Sequence, residues 1–188
     1  MPCAQTLSGL ARDCNPNIGG IKAAWINNFD EVSGLTIGTS DDDKGKITAI
    51  TLVNHAAQGA TDPVYEKFKK YAFRPATSNF ESTLNASEEN GPQDVTTLIN
   101  LVFGRMETTK RIEMEALSLA DLAMIVQDSN DVFWYFGKDN PVFASTGNGS
   151  SGTARSDRNN YGIALQDNAK TWPFEVKPSA VEAVVDEL

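Results

Sequence analysis

The sequence predicts a mainly β fold, an antiparallel β-sandwich or barrel of about ten strands with one flanking α-helix. Three observations carry that expectation. Apolar residues alternate with period two in short runs from Ile21 to Val176, turn-forming clusters separate the runs, and a sustained helical period occurs only once. A parallel βαβ fold needs more helices than this chain supplies.

Taken in order, residues 1–17 read as an N-terminal arm, because Asn15-Pro16-Asn17 and Gly19-Gly20 stop that segment from continuing into the first strand. Ile21, Ala23 and Trp25 then share one strand face. Leu35-Thr36-Ile37 and the run from Lys46 to Val53 make a hairpin around Ser40–Gly45, and His55–Asp62 is a small-residue loop. Tyr65–Phe73 and Asn79–Leu84 are expected to pair, with Arg74-Pro75 breaking or bulging the pair. A polar loop over Asn85–Asp94 leads to a strand in which Thr97, Ile99, Leu101 and Phe103 fall on one side.

The period then changes. Ile112, Ala116, Leu119, Ala120 and Ala123 recur at spacings of three and four, which predicts a helix over about 108–122 docking by that face, with Lys110, Arg111, Glu113, Glu115, Ser118 and Asp121 opposite. Asp128-Ser129-Asn130-Asp131 has the turn chemistry to join Ala123–Val126 to Val132–Phe136 as a hairpin. After a short extended piece at Val142-Phe143-Ala144, the Gly/Ser-rich stretch Ser145–Asn160 reads as a loop. Tyr161, Ile163 and Leu165 alternate, Gln166–Lys170 turn, and Trp172, Phe174 and Val176 form a last strand that Pro173 marks as an edge. Residues 177–188 are a C-terminal tail, either one short helix or frayed, so a single domain occupies 18–176.

Composition narrows the function classes. With 188 residues, 40% hydrophobic and 22% charged, the chain can bury a real core. A net charge of −9 and a pI near 4.6 argue against a surface that grips nucleic acid or anionic lipid. No apolar run approaches the roughly 20 residues of a membrane span, and the first residues lack the basic and apolar regions of a signal peptide. Assembly in a cytoplasm is expected. Cys3 and Cys14 lack a CxxC spacing; they are either a bridged pair or, given the rarity of cytosolic disulfides, two thiols.

Chemistry is sparse. His55 is the only histidine and has no second imidazole or CxxC pair to complete a transition-metal site. Asp41-Asp42-Asp43-Lys44-Gly45 offers alternating oxygens but no glutamate closing a calcium loop, so a solvated turn is expected. Gly147–Gly152 spells GxGxxG without a helix to open, which favours a flexible loop over a phosphate cradle. The acidic residues show no pair aimed at a shared cleft. Lys67, Lys69 and Lys70 among Tyr65, Phe68, Tyr71 and Phe73 read as an edge strand with charges that deter unwanted pairing, rather than as a base-stacking surface. No catalytic, cofactor-binding or metal-binding residue is expected, no cofactor, and no enzymatic activity.

Three segments carry a resemblance: Leu10-Ala11-Arg12-Asp13-Cys14 running into Gly19-Gly20-Ile21, the run through Lys110-Arg111-Ile112-Glu113, and Gly152-Thr153-Ala154-Arg155 leading to Asn160-Tyr161-Gly162-Ile163. Together they resemble small virion proteins of tailed phages and prophages of Bacteroidetes-type bacteria, and within that group the tail tube proteins. The resemblance implies a subunit that forms hexameric rings, its inner sheets joining into a continuous barrel, with rings stacked through loops and arms into a hollow virion tube. Implied partners are the chain itself, other virion proteins and DNA passing through the lumen without specific binding, and no membrane. The resemblance places ring-to-ring contacts in the loops, at Asp41, Asp42, Asp43 and Lys44 and at His55 in the Asn54–Asp62 loop, while Lys110, Arg111, Glu113 and Glu115 on the helix are expected either to solvate its flank or to pair with a neighbouring subunit. Two alternatives stay open: a head-tail connector, completion or capsid decoration protein, and a carbohydrate-binding sandwich using Trp25, Trp134, Tyr135 and Trp172.

Overall fold

The computed structural model describes residues 17–57, 62–86 and 93–188; the arm over 1–16, the cysteines within it and parts of two loops lie outside the described residues. Eleven strands build two sheets. The larger contains β1 (Ile21–Asn28), β2 (Val32–Ile37), β3 (Ile47–Leu52), β4 (Lys69–Ala72), β7 (Leu122–Asp128), β8 (Phe133–Phe136) and β11 (Phe174–Val176), in the order β2-β3-β11-β8-β7-β1-β4. The smaller contains β5 (Asn79–Ala86), β6 (Gln93–Gly104), β9 (Phe143–Ser150) and β10 (Asn160–Ala169), in the order β5-β6-β10-β9. Among the described strands only the short β3–β11 pairing is parallel. The expected mainly β sandwich with a flanking helix, α1 (Thr108–Leu119), is therefore the architecture, with a second helix, α2 (Pro178–Val184), added.

The larger sheet is buried on both faces. Ile21, Ala24, Ile26, Met124, Val126 and Phe136 meet Ile99, Leu101, Ile163 and Leu165 of the smaller sheet. On the opposite face Ala23, Trp25, Ile125, Phe133 and Tyr135 pack with Phe68 and with Ala180, Val181 and Val184 of α2. Residues 177–188 are thus no tail appended to a finished domain. Pro178 at the first turn, where its missing N–H costs nothing, starts a helix whose apolar side closes the second core. Phe68 N–H donates to Val184 O and the Trp25 indole to Glu187 O, which tie the last residues down.

Several local expectations are corrected. A register shift between Ile21 and Ala23 turns Ile21 away from the Ala23/Trp25 face, a β-bulge that alternation cannot announce. The segments before and after Arg74-Pro75 do not pair with each other: β4 joins β1, β5 joins β6, and the chain changes sheet between them. Ser145–Ser150 is not loop but strand β9, because the β10 ladder needs backbone rather than side chains. The expected turn at Gln166–Lys170 is strand through Ala169, paired along its whole length with β6. Pro173 precedes β11 instead of interrupting it, and β11 lies inside the larger sheet between β3 and β8.

Helix α1 docks by a different face from the one expected. Leu117 is buried and Met114 packs against the core, whereas Ile112 is 53% and Leu119 88% exposed. The helix stops at Leu119, and Ala120 already has extended backbone, so Ala123 belongs to β7. The apparent stripe joined residues of two elements. What holds α1 is a pair of long side chains three residues apart.

The expected hairpin forms from β7 and β8, with Met124 facing Phe136 and Val126 facing Trp134. Asp128 closes the turn by accepting from Asn130 N–H and Val132 N–H through Oδ1, at 2.8 and 2.9 Å, and from the Trp134 indole through Oδ2.

Candidate functional site

The smaller sheet has one face in the core and the other open among the described residues. In β6, Val95, Thr97, Ile99 and Leu101 point inward, which puts Asp94, Thr96, Leu98, Asn100 and Val102 on the open face. Register sets Asn79, Glu81, Thr83 and Asn85 of β5, Gly162, Ala164, Gln166 and Asn168 of β10, and Thr146 and Asn148 of β9 beside them. The side chains knit locally: Asn85 donates to Asp94 and Thr96, and Asn100 to Asn79. None of the four strands contains a lysine or arginine, and the open face carries the carboxylates Glu81 and Asp94.

Both outer strands of this sheet lack a strand partner on one side among the described residues, and α1 runs beside β9. Among the described residues no strand pairs with the outer side of β5 or of β9, each eight residues long and largely exposed. β9 is also sterically matched to its neighbour. A Cβ on Gly149 would stand 3.0 Å from the Tyr161 ring, so glycine there lets the ring lie across the strand. The GxGxxG spacing is therefore strand geometry, followed by a turn. Gly152 has φ +72°, and Thr153 and Ala154 donate their N–H groups to Asp157 Oδ2 at 2.8 and 2.7 Å. Those two bonds hold the Asp157 carboxyl below its usual range, and they occupy the amides a phosphate would need.

A second feature is a cleft of about 520 Å³ between the C-terminal half of α1 and the ends of β1 and β4. Ile26, Leu117 and Leu122 line it together with Glu31, His55, Glu66, Lys69, Tyr71 and Glu113. His55 pairs with Glu31, Lys69 with Glu66 at 3.3 Å, and the Tyr71 hydroxyl donates to Glu113 at 3.0 Å. Burial, and then the Glu113 carboxylate, push the Tyr71 phenol pKa up, so it stays a donor.

The expected contact residues are dispersed. His55 and Glu113 meet in this cleft, while Asp41, Asp42 and Lys44 stand exposed on the β2–β3 turn. Asp43 is drawn into an ion pair with Lys177 at 2.7 Å, joining that turn to the start of α2. Lys110 caps the end of β6, donating to Gly104 O at 2.6 Å and pairing with Glu107, and Arg111 pairs with Glu115 along the helix. The aromatic platform expected for a glycan does not form: Trp25 and Tyr135 are buried, Trp134 is half-buried, and Trp172 alone is well exposed. Asp167, unremarked in the sequence, is a buried carboxyl on the inner face of β10 with one oxygen unpartnered. Burial pushes its pKa up to about 6, opposed by a bond from Gly137 N–H and assisted by the charge of Asp139. Its place at the end of the Ile163/Leu165 alternation was the signal for burial.

No group of three or more potential metal ligands occurs among the described residues, and none of their helices is long and apolar enough to cross a membrane. The chain matches no family model, no curated protein and no solved structure among known proteins.

Proposed function

We propose that this chain is a tail tube subunit of a phage or prophage virion, whose smaller sheet joins those of neighbouring copies edge to edge and lines a hollow ring. The observation that supports this reading is the four-stranded sheet itself. Its β5 edge has no lysine, arginine, proline, bulge or covering element among the described residues, the devices by which finished sheets avoid pairing, and its β9 edge, although bulged near Ala144 and flanked by α1, has no lysine, arginine or proline and no strand partner there. Pairing β5 of one copy with β9 of the next satisfies both rows of backbone groups, and repetition closes a barrel. The open face then becomes the lumen wall. A wall with carboxylates and amides but no basic side chain makes no charge-neutralising phosphate contacts, so DNA passes without being held.

Microscopy of negatively stained protein at rising concentration tests the reading. Hollow rings and tubes are expected; a species that remains monomeric at high concentration overturns it, and compact trimers or single unstacked caps favour a capsid decoration or connector role. Edge variants locate the contact. Successive strand residues direct N–H to opposite sides, so of Thr83→Pro and Leu84→Pro one removes only an outward donor. That variant is expected to fold, judged by circular dichroism, and to lose rings.

A further inference from the structure

We propose that the cleft beside α1 receives the β9–β10 turn of a second copy, with Arg155 and Arg158 of one molecule entering among Glu31, Glu66 and Glu113 of the next. This inference rests on the self-assembling reading above and supplies the contact by which one ring meets another.

The charges are complementary. Over an apolar floor the cleft holds three carboxylates, Glu31 paired with His55, Glu66 with Lys69 and Glu113 accepting only from the neutral Tyr71 hydroxyl, so carboxylates outnumber its one lysine. Arg155 and Arg158 stand exposed on the turn, and among the described residues neither has a carboxylate partner. Asp157 lies between them in sequence, but its Oδ2 accepts from the Thr153 and Ala154 amides. It thereby shapes the turn. A guanidinium suits this cleft because it can make forked bonds to a carboxylate while its weakly hydrated plane lies on apolar surface.

Position supplies the second argument. The turn's base is fixed near the start of α1, where Asn159 accepts from Arg105 N–H at 2.7 Å and from Met106 N–H at 2.8 Å. The cleft uses the helix from Glu113 to Ala120. Donor and acceptor are thus separated along α1, and a contact between unlike patches repeats head to tail without using itself up. Ile112, Ala116 and Leu119, exposed at spacings of four and three along the cleft's helical wall, extend the receiving surface with apolar area that nothing among the described residues covers.

The test is a charge exchange in the full chain, read by sedimentation velocity and negative-stain microscopy. Arg155→Glu/Arg158→Glu alone, and Glu66→Lys/Glu113→Lys alone, are each expected to lose stacked species while keeping rings; high salt should do the same to the unchanged protein. An equimolar mixture is expected to recover stacks, because each variant then meets an opposite charge at both contacts. Arg155→Gln/Arg158→Gln, and Glu66→Lys alone, give milder versions should the Tyr71–Glu113 bond prove necessary for folding. Stacking by the charge variants equal to that of the unchanged protein overturns the inference and leaves the ring reading standing. Failure of the mixture to recover what both variants lost also overturns it. Loss of rings in the edge-proline variants speaks only to the ring reading.

Discussion

The two sheets differ in how completely the chain finishes them. The larger is covered on one face by the smaller sheet and on the other by α2 and Phe68. Its edges are managed within the molecule: β4 is four residues long and carries Lys69 and Lys70, and β2 is distorted by register shifts at both ends. Among the described residues the smaller sheet has one face open and an eight-residue β5 edge with neither device, while its other edge, β9, is bulged and flanked by α1. A sheet covered on both faces has a structural role inside the subunit. A sheet left open on a face and at β5 among the described residues is where contacts with another molecule can be added without disturbing a core.

The largest effect that sharpens this contrast is at Trp25, wholly buried, tilted against Phe133 and tied to Glu187 O. Trp25→Ala is expected to cost about 3–5 kcal/mol in urea unfolding, the range for large aromatic truncations in cores. Within the smaller sheet the inner and outer faces should separate. Ile99→Ala is expected to cost about 2–4 kcal/mol, whereas Leu98→Ser, 40% exposed on the open face, should stay within about 0.5 kcal/mol. Equal costs at the two positions would mean that the open face is not open in the folded subunit.

Asp167 gives a pH-dependent measurement at the junction of the sheets. Its folded pKa of about 6 lies above the ordinary carboxyl value of 3.8, so the folded state binds the proton more tightly than the unfolded chain does. The stabilisation linked to that proton is complete below about pH 4 and is lost as pH rises through about 6. Around it stand Tyr135, whose phenol pKa is pushed up by burial and then by Asp167, and Asp139, which bonds to Lys138 and to Lys170 N–H. Asp167→Asn is therefore expected to unfold at about 2–3 kcal/mol higher free energy than the unchanged protein at pH 8 and to match it near pH 4. A gain that is the same at both pH values would show that the effect is not ionisation.

The smallest effect compares two glycines of β9. Gly149→Ala meets the Tyr161 ring at 3.0 Å and Met106 Cε at 3.2 Å, and should cost about 1–2 kcal/mol. Gly147→Ala approaches nothing closer than Gly162 O at 3.7 Å and should change stability by less than about 0.5 kcal/mol.

The candidate surfaces were legible in uneven measure. Alternation at Thr97, Ile99 and Leu101 identified the inner face of β6, and hence its open face, because a buried strand face leaves a period-two record. β9 left no such record: FASTGNGS is small and polar, and its strand state comes from pairing with β10. The cleft was invisible for a similar reason. Glu31, His55, Glu66, Tyr71 and Glu113 come from five separate places in the chain, and only packing of α1 beside β1 and β4 assembles them. The docking side of α1 is not legible either, since the stripe Ile112/Ala116/Leu119/Ala120/Ala123 runs past the helix end into β7, while Met114 and Leu117 reach the core.

The sequence by itself determined the local states: mainly β, one long helix beginning near 108, the Asp128 turn, the inward residues of β6, and a strongly acidic chain. These depend on interactions between near neighbours, which periodicity and turn chemistry record directly. Tertiary structure alone decided which strands share a sheet, that β11 is internal, that residues 178–184 close a core, and that β5 and β9 are left without an outer strand partner among the described residues. Those outcomes depend on partners as much as 162 residues apart, as in the bond from Trp25 to Glu187, where no local pattern encodes the pairing.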